Sequence, residues 1–241
     1  MWTAGRGCLG DDLSEIHMTD DSSTKVALIT GGKGGLGSAI VPAFGSAGYR
    51  VVDCDAAHPD VARQFDVTDS AAVESAVSHI LTDFGRIDVL VNLVGAWRPQ
   101  DPISEITDED WDGIFKINFR SVLVMSRAVL PHMIERGSGC IINVGAKQGE
   151  RGAGGNGPYS VAKAGVLALT EVMAEETLDS GITVNAVVPS VIDTPGNRAG
   201  MPDADFDVWV PPAQIAATMV FLASNEAASI SGDRIHVFNK S

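Results

Sequence analysis

The chain has 241 residues, of which 45% are hydrophobic and 20% charged, a composition typical of one globular domain. Its 31 acidic and 17 basic residues give a net charge of −14 at pH 7, which disfavours binding to nucleic acid or to an anionic membrane surface. No apolar run reaches the roughly 18 residues of a membrane span, so we expect a soluble protein.

The spacing of cysteine and histidine indicates neither a disulfide framework nor a metal site. Cys8, Cys54 and Cys140 are odd in number and far apart, and the five histidines show no ligand spacing. We therefore predict no bound metal and a cytoplasmic location, where cysteines stay reduced.

Residues 1–24 lack hydrophobic periodicity and predict a disordered tail, in which Met18 is an alternative start. From Lys25, short β-branched runs alternate with helix-length segments at 37–48, 70–84, 108–136, 159–178 and 212–223. The runs are KVALIT, YRVVDCD, RIDVLVNLVG, GCIINVG, GITVNAVVP and DRIHVF, with one more strand expected before Asp66. Apolar runs separated by helices are typical of parallel strands with crossovers. They predict one Rossmann-type, doubly wound α/β domain over residues 25–241, with a seven-stranded parallel sheet flanked by helices.

A glycine-rich segment, TGGKGGLG, joins the first strand to the first helix. Glycines allow a tight turn and bring backbone amides close to a pyrophosphate, whose charge the positive end of the helix dipole stabilises. Two registers fit, GxGxxG starting at Gly32 and TGxxxGxG starting at Thr30. We predict a dinucleotide site here rather than an ordinary glycine-rich turn. The predicted cofactor contacts are Thr30, Gly31, Lys33, Gly35, Leu36 and Gly37.

The second strand ends in VVDCD, which places Asp53 and Asp55 roughly 20 residues beyond the glycines. A carboxylate there accepts hydrogen bonds from the adenosine ribose and repels the 2′-phosphate of NADP(H). We choose Asp55, nearer the end of the strand, for this role; a solvated loop acid is the alternative. Since Lys33 is the one basic residue of the glycine loop, we predict NAD(H) as the preferred cofactor and NADP(H) as an accepted one.

The segment FDVTD precedes the second predicted helix. Asp66 and Val67 are predicted to flank the adenine of the cofactor. The alternative is a helix N-cap, for which Thr68 and Asp69 are suited.

Tyr159 and Lys163, in YSVAK, lie four residues apart at the start of a predicted helix, so their side chains share one face. A nearby ammonium stabilises phenolate and lowers a tyrosine pKa from about 10. A tyrosine so placed can exchange a proton with a substrate. For the YxxxK spacing alone, an ordinary surface pair is the alternative.

Together these motifs resemble the short-chain dehydrogenase/reductase family over residues 25–241. The resemblance rests on TGGKGGLG, the DV dipeptide at 66–67, NLVG, KINF, YSVAK and VVPSVIDTP. It implies that Tyr159 is the proton donor, that Lys163 binds the nicotinamide ribose and tunes the tyrosine, and that Asn118 holds a water in a proton relay.

The resemblance also implies further cofactor contacts from Asn92, Gly95, Pro189 and Thr194, with Thr194 near the nicotinamide carboxamide. It makes residues 190–211 a loop that covers a small-molecule substrate. It further implies a homodimer or homotetramer, paired through the helices that begin near residues 108 and 159.

One position departs from the family. Its catalytic serine falls thirteen residues before the tyrosine, and that position is Ala146 here. Loss of one donor to a developing oxyanion typically costs about 10² to 10³ in rate. Either the protein has lost activity, or its substrate does not need the donor, or another group such as Ser190 or a backbone amide replaces it.

A narrower resemblance is to the dihydropteridine reductases, a branch that also lacks the serine. It rests on GAK at 145–147, the tryptophan of VGAW and the string DTPGNRAGMPDADFDVW at 193–209. It implies that hydride from NADH reduces a quinonoid dihydropterin at a ring nitrogen, so that no alkoxide forms. Trp97 would then stack on the substrate, with Ala146 and Met201 as further contacts. Packing of a loop is the alternative role for Trp97, and more so for Trp209.

Three functions follow from these observations. The leading hypothesis is an NAD(P)H-dependent oxidoreductase acting on a quinonoid dihydropterin or a similar electron-poor quinonoid or iminium compound. The alternative is a carbonyl or 3-oxoacyl reductase, which Asn118 and the segment GERGAGGN resemble. The second alternative is a non-catalytic NADH-binding regulatory protein, in which Ala146 marks lost chemistry.

Overall fold

The computed structural model describes residues 23–56 and 63–240. Of the predicted tail at 1–24, residues 1–22, including Met18, lie outside the described residues. In the part of the chain that is described, no helix combines the length and the apolar character needed to cross a bilayer.

Six parallel strands form one sheet in the order β2-β1-β3-β4-β5-β6. They are β1 (Val26–Thr30), β2 (Arg50–Cys54), β3 (Val89–Asn92), β4 (Gly139–Val144), β5 (Ile182–Pro189) and β6 (Arg234–Val237). Every residue of β1 and β3 is buried, as expected for central strands covered on both faces. The predicted Rossmann-type parallel sheet is confirmed.

The seventh strand expected before Asp66 is not among the described strands. Arg63 makes an isolated bridge with Cys54, and its N–H donates to the Asp53 carbonyl at 3.2 Å. Beyond it the chain turns, because the Asp66 carboxylate accepts hydrogen bonds from the N–H and hydroxyl of Thr68 at 2.8 and 2.7 Å. The extended segment therefore ends before a ladder can form beside β2.

Eight α-helices of the described chain surround the sheet. They are α1 (Gly37–Ser46), α2 (Ser70–Phe84), α3 (Asp108–Phe115), α4 (Ser121–Arg136), α5 (Lys147–Glu150), α6 (Gly157–Glu176), α7 (Pro195–Gly200) and α8 (Pro212–Leu222). Alternate strand residues face opposite sides of the sheet. Thus Leu28 packs in the core with Ile80 of α2, whereas Ile29 packs in the other core with Phe44 of α1.

At the amino-terminal ends of the strands, a buried carboxylate joins three elements. Asp88 accepts hydrogen bonds from the Val26 N–H at 2.7 Å, from Arg86 at 2.8 and 2.6 Å, and from Arg136 at 3.2 Å. Burial raises the pKa of Asp88, but the hydrogen bonds and charges of these partners outweigh it and hold the pKa below its usual range. A cavity of 540 Å³ lies at this edge, and none of the predicted site residues lines it.

Candidate active site

The carboxyl ends of the strands surround a cavity of 340 Å³. Twelve of the predicted site residues line it: Gly31, Gly35, Leu36, Gly37, Gly95, Trp97, Asn118, Ala146, Tyr159, Lys163, Pro189 and Met201. Seven do not: Thr30, Lys33, Asp55, Asp66, Val67, Asn92 and Thr194. Residues far apart in the chain thus meet at one edge of the sheet, which is where ligands bind in open parallel sheets.

The glycine loop folds tightly against the start of α1. Gly31 has a φ of +70°, and its N–H donates to the Cys54 carbonyl at 2.7 Å. A Cβ on Gly37 would lie 2.4 Å from the Gly31 carbonyl oxygen, so only glycine fits there. No side-chain hydrogen bond caps α1. This loop fits a dinucleotide pyrophosphate, because close backbone approach and an uncapped helix start suit an anion.

Of the two acids at the end of β2, Asp53 lies against the glycine loop. A Cβ on Gly32 would lie 2.7 Å from the Asp53 Cβ and 3.4 Å from its carboxylate oxygen Oδ2. The Asp55 N–H donates to the Arg63 carbonyl at 3.3 Å. Lys33 is exposed on the loop. The structure thus places Asp53 against the glycine loop and Asp55 directly after the end of β2.

Two predicted cofactor residues shape the turn after β3. The Thr30 hydroxyl accepts hydrogen bonds from the Leu93 and Val94 N–H groups at 3.1 and 3.3 Å. Asn92 is buried and donates to Asn143 Oδ1 at 2.9 Å. Through these contacts both side chains stabilise the carboxyl ends of the central strands.

The FDVTD segment has the geometry of a helix N-cap, the alternative to an adenine contact. Val67 is buried, and the Asp69 carboxylate accepts from the Ala71 and Ala72 N–H groups at 2.9 and 3.3 Å, which caps α2. The Thr68 hydroxyl is the main cause that holds the pKa of Asp66 below its usual range.

Tyr159 and Lys163 project from the first turns of α6 into the cavity. Lys163 is 4% exposed, and its Nζ donates to the Val144 carbonyl at the end of β4 at 2.8 Å. Burial lowers the pKa of Lys163 from 10.5 to about 8. The lysine and the glycine loop thus border the same space.

Burial raises the pKa of Tyr159 from 10.0 to about 12. The net direction is opposite to the predicted lowering, because burial of the phenol sets it. The Lys163 Nζ donates to the Val144 carbonyl and lies 5.9 Å from the centre of the tyrosine ring. The phenol therefore carries its proton at neutral pH and can act as a donor.

Asn118 lies in a π-helical turn, Lys116–Arg120, which breaks the single helix predicted over 108–136. Its Nδ2 donates to the carbonyls of Ala96 and Ile114 at 2.8 and 2.9 Å, and its Oδ1 accepts from the Ala96 N–H at 3.1 Å. A Cβ on Gly95 would lie 2.9 Å from Asn118 Oδ1 and 3.2 Å from Lys163 Nζ. The side chain thus fixes the loop after β3 to the π-helical turn that follows α3, with Lys163 of α6 close by. The predicted water relay stays a prediction.

Ala146 occupies the N-cap position of the short helix α5 and is 5% exposed. Ala146 lines the cavity, at the sequence position where the family's serine is expected. A Cβ on Gly149 would lie 2.8 Å from the Lys163 carbonyl carbon, so α5 packs directly on α6.

The cavity mouth is formed by Trp97 and the substrate loop. Trp97 is 47% exposed, and its indole N–H donates to Asn156 Oδ1 at 2.5 Å. Thr194 caps α7 through the Asn197 N–H at 3.2 Å, and a Cβ on Gly35 would lie 3.0 Å from the Thr194 Cβ. Trp209 is buried, which agrees with its packing alternative.

Three cavity-lining amides were missed from the sequence: Gln148, Asn156 and Asn197. Asn156 lies three residues before the tyrosine and Gln148 two residues after Ala146. Polar side chains this close to catalytic positions were the available signal.

Comparison with known proteins agrees with this geometry. The short chain dehydrogenase family profile matches residues 25–204. The chain is 35% identical to the 3-oxoacyl-(acyl-carrier-protein) reductase of Escherichia coli strain K12 over 233 residues, 88% of this chain and 95% of the relative. It is 34% identical to the acetoacetyl-CoA reductase of Shinella zoogloeoides over 232 residues, 88% of this chain and 96% of the relative. A tryptophan variant of actinorhodin polyketide ketoreductase with NADPH matches with a TM-score of 0.83 at 29% identity, over 90% of this chain and 97% of that one.

Proposed function

Since the chain belongs to the short-chain dehydrogenase family and is an oxidoreductase, we propose that it reduces ketones that carry a second carbonyl group, with 3-oxoacyl thioesters as the leading class. The observation that carries this proposal is the cavity shared by the Tyr159 phenol, the Lys163 ammonium and the glycine loop. The named relatives support it, because they reduce 3-oxoacyl and acetoacetyl groups, and they favour this function over dihydropterin reduction.

Bound NAD(P)H supplies the hydride for the carbonyl carbon. Tyr159 gives its proton to the carbonyl oxygen, and the pKa of about 12 keeps the phenol protonated at neutral pH until that moment. Buried Lys163 holds a positive charge beside the forming alcohol, while Asn118 fixes the adjoining loop through the Ala96 carbonyl. The balanced result is one ketone reduced to an alcohol, with hydride and proton added across its double bond.

The missing hydroxyl at Ala146 supports an activated substrate. A second carbonyl two carbons away withdraws electrons, so a 3-oxo group accepts hydride more readily than an isolated ketone. A more reactive carbonyl partly offsets the loss of one donor to its oxygen, so alanine at position 146 is tolerated.

We further propose NADH as the preferred cofactor. Asp53 and Asp55 both lie at the end of β2, and a carboxylate at this position disfavours a 2′-phosphate. The structural relative with NADPH is evidence for that protein alone.

A second candidate function is reduction of quinonoid dihydropterin. Two observations favour it. Ala146 offers no hydrogen-bond donor, and hydride addition to a ring nitrogen does not require one at this position. The exposed ring of Trp97 lies at the mouth of the cavity. Against it stand the named relatives, whose substrates are ketones.

The test measures NADH oxidation by purified protein with acetoacetyl-CoA, cyclohexanone and quinonoid dihydropterin. We expect turnover of acetoacetyl-CoA above that of cyclohexanone, and a fall of about 10² to 10⁴ in kcat for Tyr159→Phe with NADH binding retained. Turnover of the dihydropterin alone would establish the second candidate. NADH binding without turnover of any acceptor would favour the regulatory alternative.

A further inference from the structure

The structure offers a replacement for the missing serine hydroxyl two residues further along the chain. Gln148 is the second residue of α5, the helix that Ala146 caps, and it lines the same cavity as Tyr159. We propose that the side-chain amide of Gln148 donates a hydrogen bond to the substrate carbonyl oxygen during hydride transfer. This inference rests on the proposed carbonyl reduction.

The Gln148 amide is available, whereas the other cavity amides are committed. Asn118 bonds the loop after β3, Asn156 accepts from Trp97 and donates to the Gly154 carbonyl at 3.3 Å, and Asn197 donates to the Ile192 carbonyl at 2.8 Å. Within residues 23–56 and 63–240, no group hydrogen-bonds the Gln148 side chain. A half-buried amide without a partner, facing a cavity, is suited to a ligand oxygen.

A donor that stabilises a developing oxyanion must be held in place before reaction. The helix that carries Gln148 is held in place, because Gly149 packs on the Lys163 backbone. Two contacts tie the same helix to the end of the chain: Glu150 with His236 Nε2 at 2.7 Å, and the Lys147 ammonium over the Phe238 ring at 5.4 Å.

The length and the hydrogen-bonding groups of the Gln148 side chain also suit the proposed role. A glutamine side chain is longer than a serine side chain, and Gln148, two residues along, lines the same cavity as Ala146. Its Nε2 donates without titrating near neutral pH. A substrate oxygen would then receive two donors, the phenol of Tyr159 and this amide.

The experiment compares Gln148→Ala with Gln214→Ala, a control on the exposed face of α8. With acetoacetyl-CoA and NADH, we expect kcat to fall about 10² to 10³ in Gln148→Ala while the KM for NADH stays unchanged. Gln148→Glu should lose at least as much, since a carboxylate accepts and does not donate. Adding Ala146→Ser to Gln148→Ala should restore most of the lost kcat, which a merely structural role of Gln148 would not allow.

The outcomes separate this inference from the function on which it rests. If wild type reduces acetoacetyl-CoA and Gln148→Ala keeps its kcat, the amide is not the donor and the reductase proposal stands. If wild type reduces no carbonyl compound, both fail. A Gln148→Ala defect that Ala146→Ser leaves uncorrected, together with a lowered melting temperature, would also overturn the donor role.

Discussion

Replacing Lys163 by methionine should stabilise the fold while removing activity. The lysine is 4% exposed, and burial lowers its pKa from 10.5 to about 8. Each pKa unit corresponds to about 1.4 kcal/mol, so at pH 6 burial of the ammonium opposes folding by roughly 3 kcal/mol. Methionine has a similar length and no charge, and its variant avoids this cost.

The two pKa values of Lys163 determine whether the stability of the wild type rises or falls with pH. Below pH 8 the lysine is charged in both states, and the full penalty acts on the folded protein. Between pH 8 and 10.5 the unfolded chain binds more protons than the folded one, so wild-type stability rises with pH. Near pH 10 the penalty is about 1 kcal/mol, and the advantage of Lys163→Met over wild type should shrink by about 2 kcal/mol from its value at pH 6.

Urea unfolding at both pH values measures this difference. The lost hydrogen bond leaves the Val144 carbonyl without this donor and reduces the advantage by about 1 to 3 kcal/mol, so the test is the change in the advantage with pH and not its absolute size. Lys116→Met, at an exposed position, is the matched control and should show no such change. An advantage of Lys163→Met that is equal at both pH values would refute the reasoning.

Three further predictions concern the glycine, the structural carboxylate and the cofactor. Gly95→Ala puts a methyl group 2.9 Å from Asn118 Oδ1 and should lower kcat about tenfold or more. Gly113→Ala, whose methyl group would lie in open space, should leave kcat unchanged, and steady-state kinetics with NADH measures both variants. Asp88→Asn should destabilise the fold by about 3 kcal/mol at pH 7, by leaving two arginines without their carboxylate. Because the folded pKa of Asp88 is lowered, this difference is lost as pH falls through the acid range, and urea unfolding at pH 7 and pH 3 measures it. Asp55→Ser should raise kcat/KM for NADPH relative to NADH; if only Asp53→Ser does so, the choice of Asp55 is wrong.

The central sheet could be predicted because its strands are buried on both faces. Strands β1 and β3 are apolar at every position except the last and are buried throughout, and that apolar pattern can be read from the strand alone. The edge beyond β2 could not be predicted in the same way. There a two-residue turn at Asp66 competes with strand pairing, and the turn forms.

The meeting of Tyr159 and Lys163 followed from helical spacing, but their titration did not. Spacing gives the distance between side chains along one helix, whereas a pKa depends on everything that surrounds the group. Lys163 reaches the end of β4, a strand that ends nineteen residues earlier, and is buried there. Burial of the phenol itself, which also depends on tertiary packing, gives the pKa of Tyr159 the direction opposite to the expected one.

Gln148 shows the same limit most clearly. Its helix has four residues, too few for a hydrophobic period, and so periodicity does not indicate on which side of the helix the side chain lies. The position is set by packing on α6 and by contacts with the end of the chain. A search confined to the family's serine position finds only a methyl group, whereas the fold places a free amide beside it. The chemistry lost at one residue can therefore be supplied by a neighbour that only tertiary structure brings to the site.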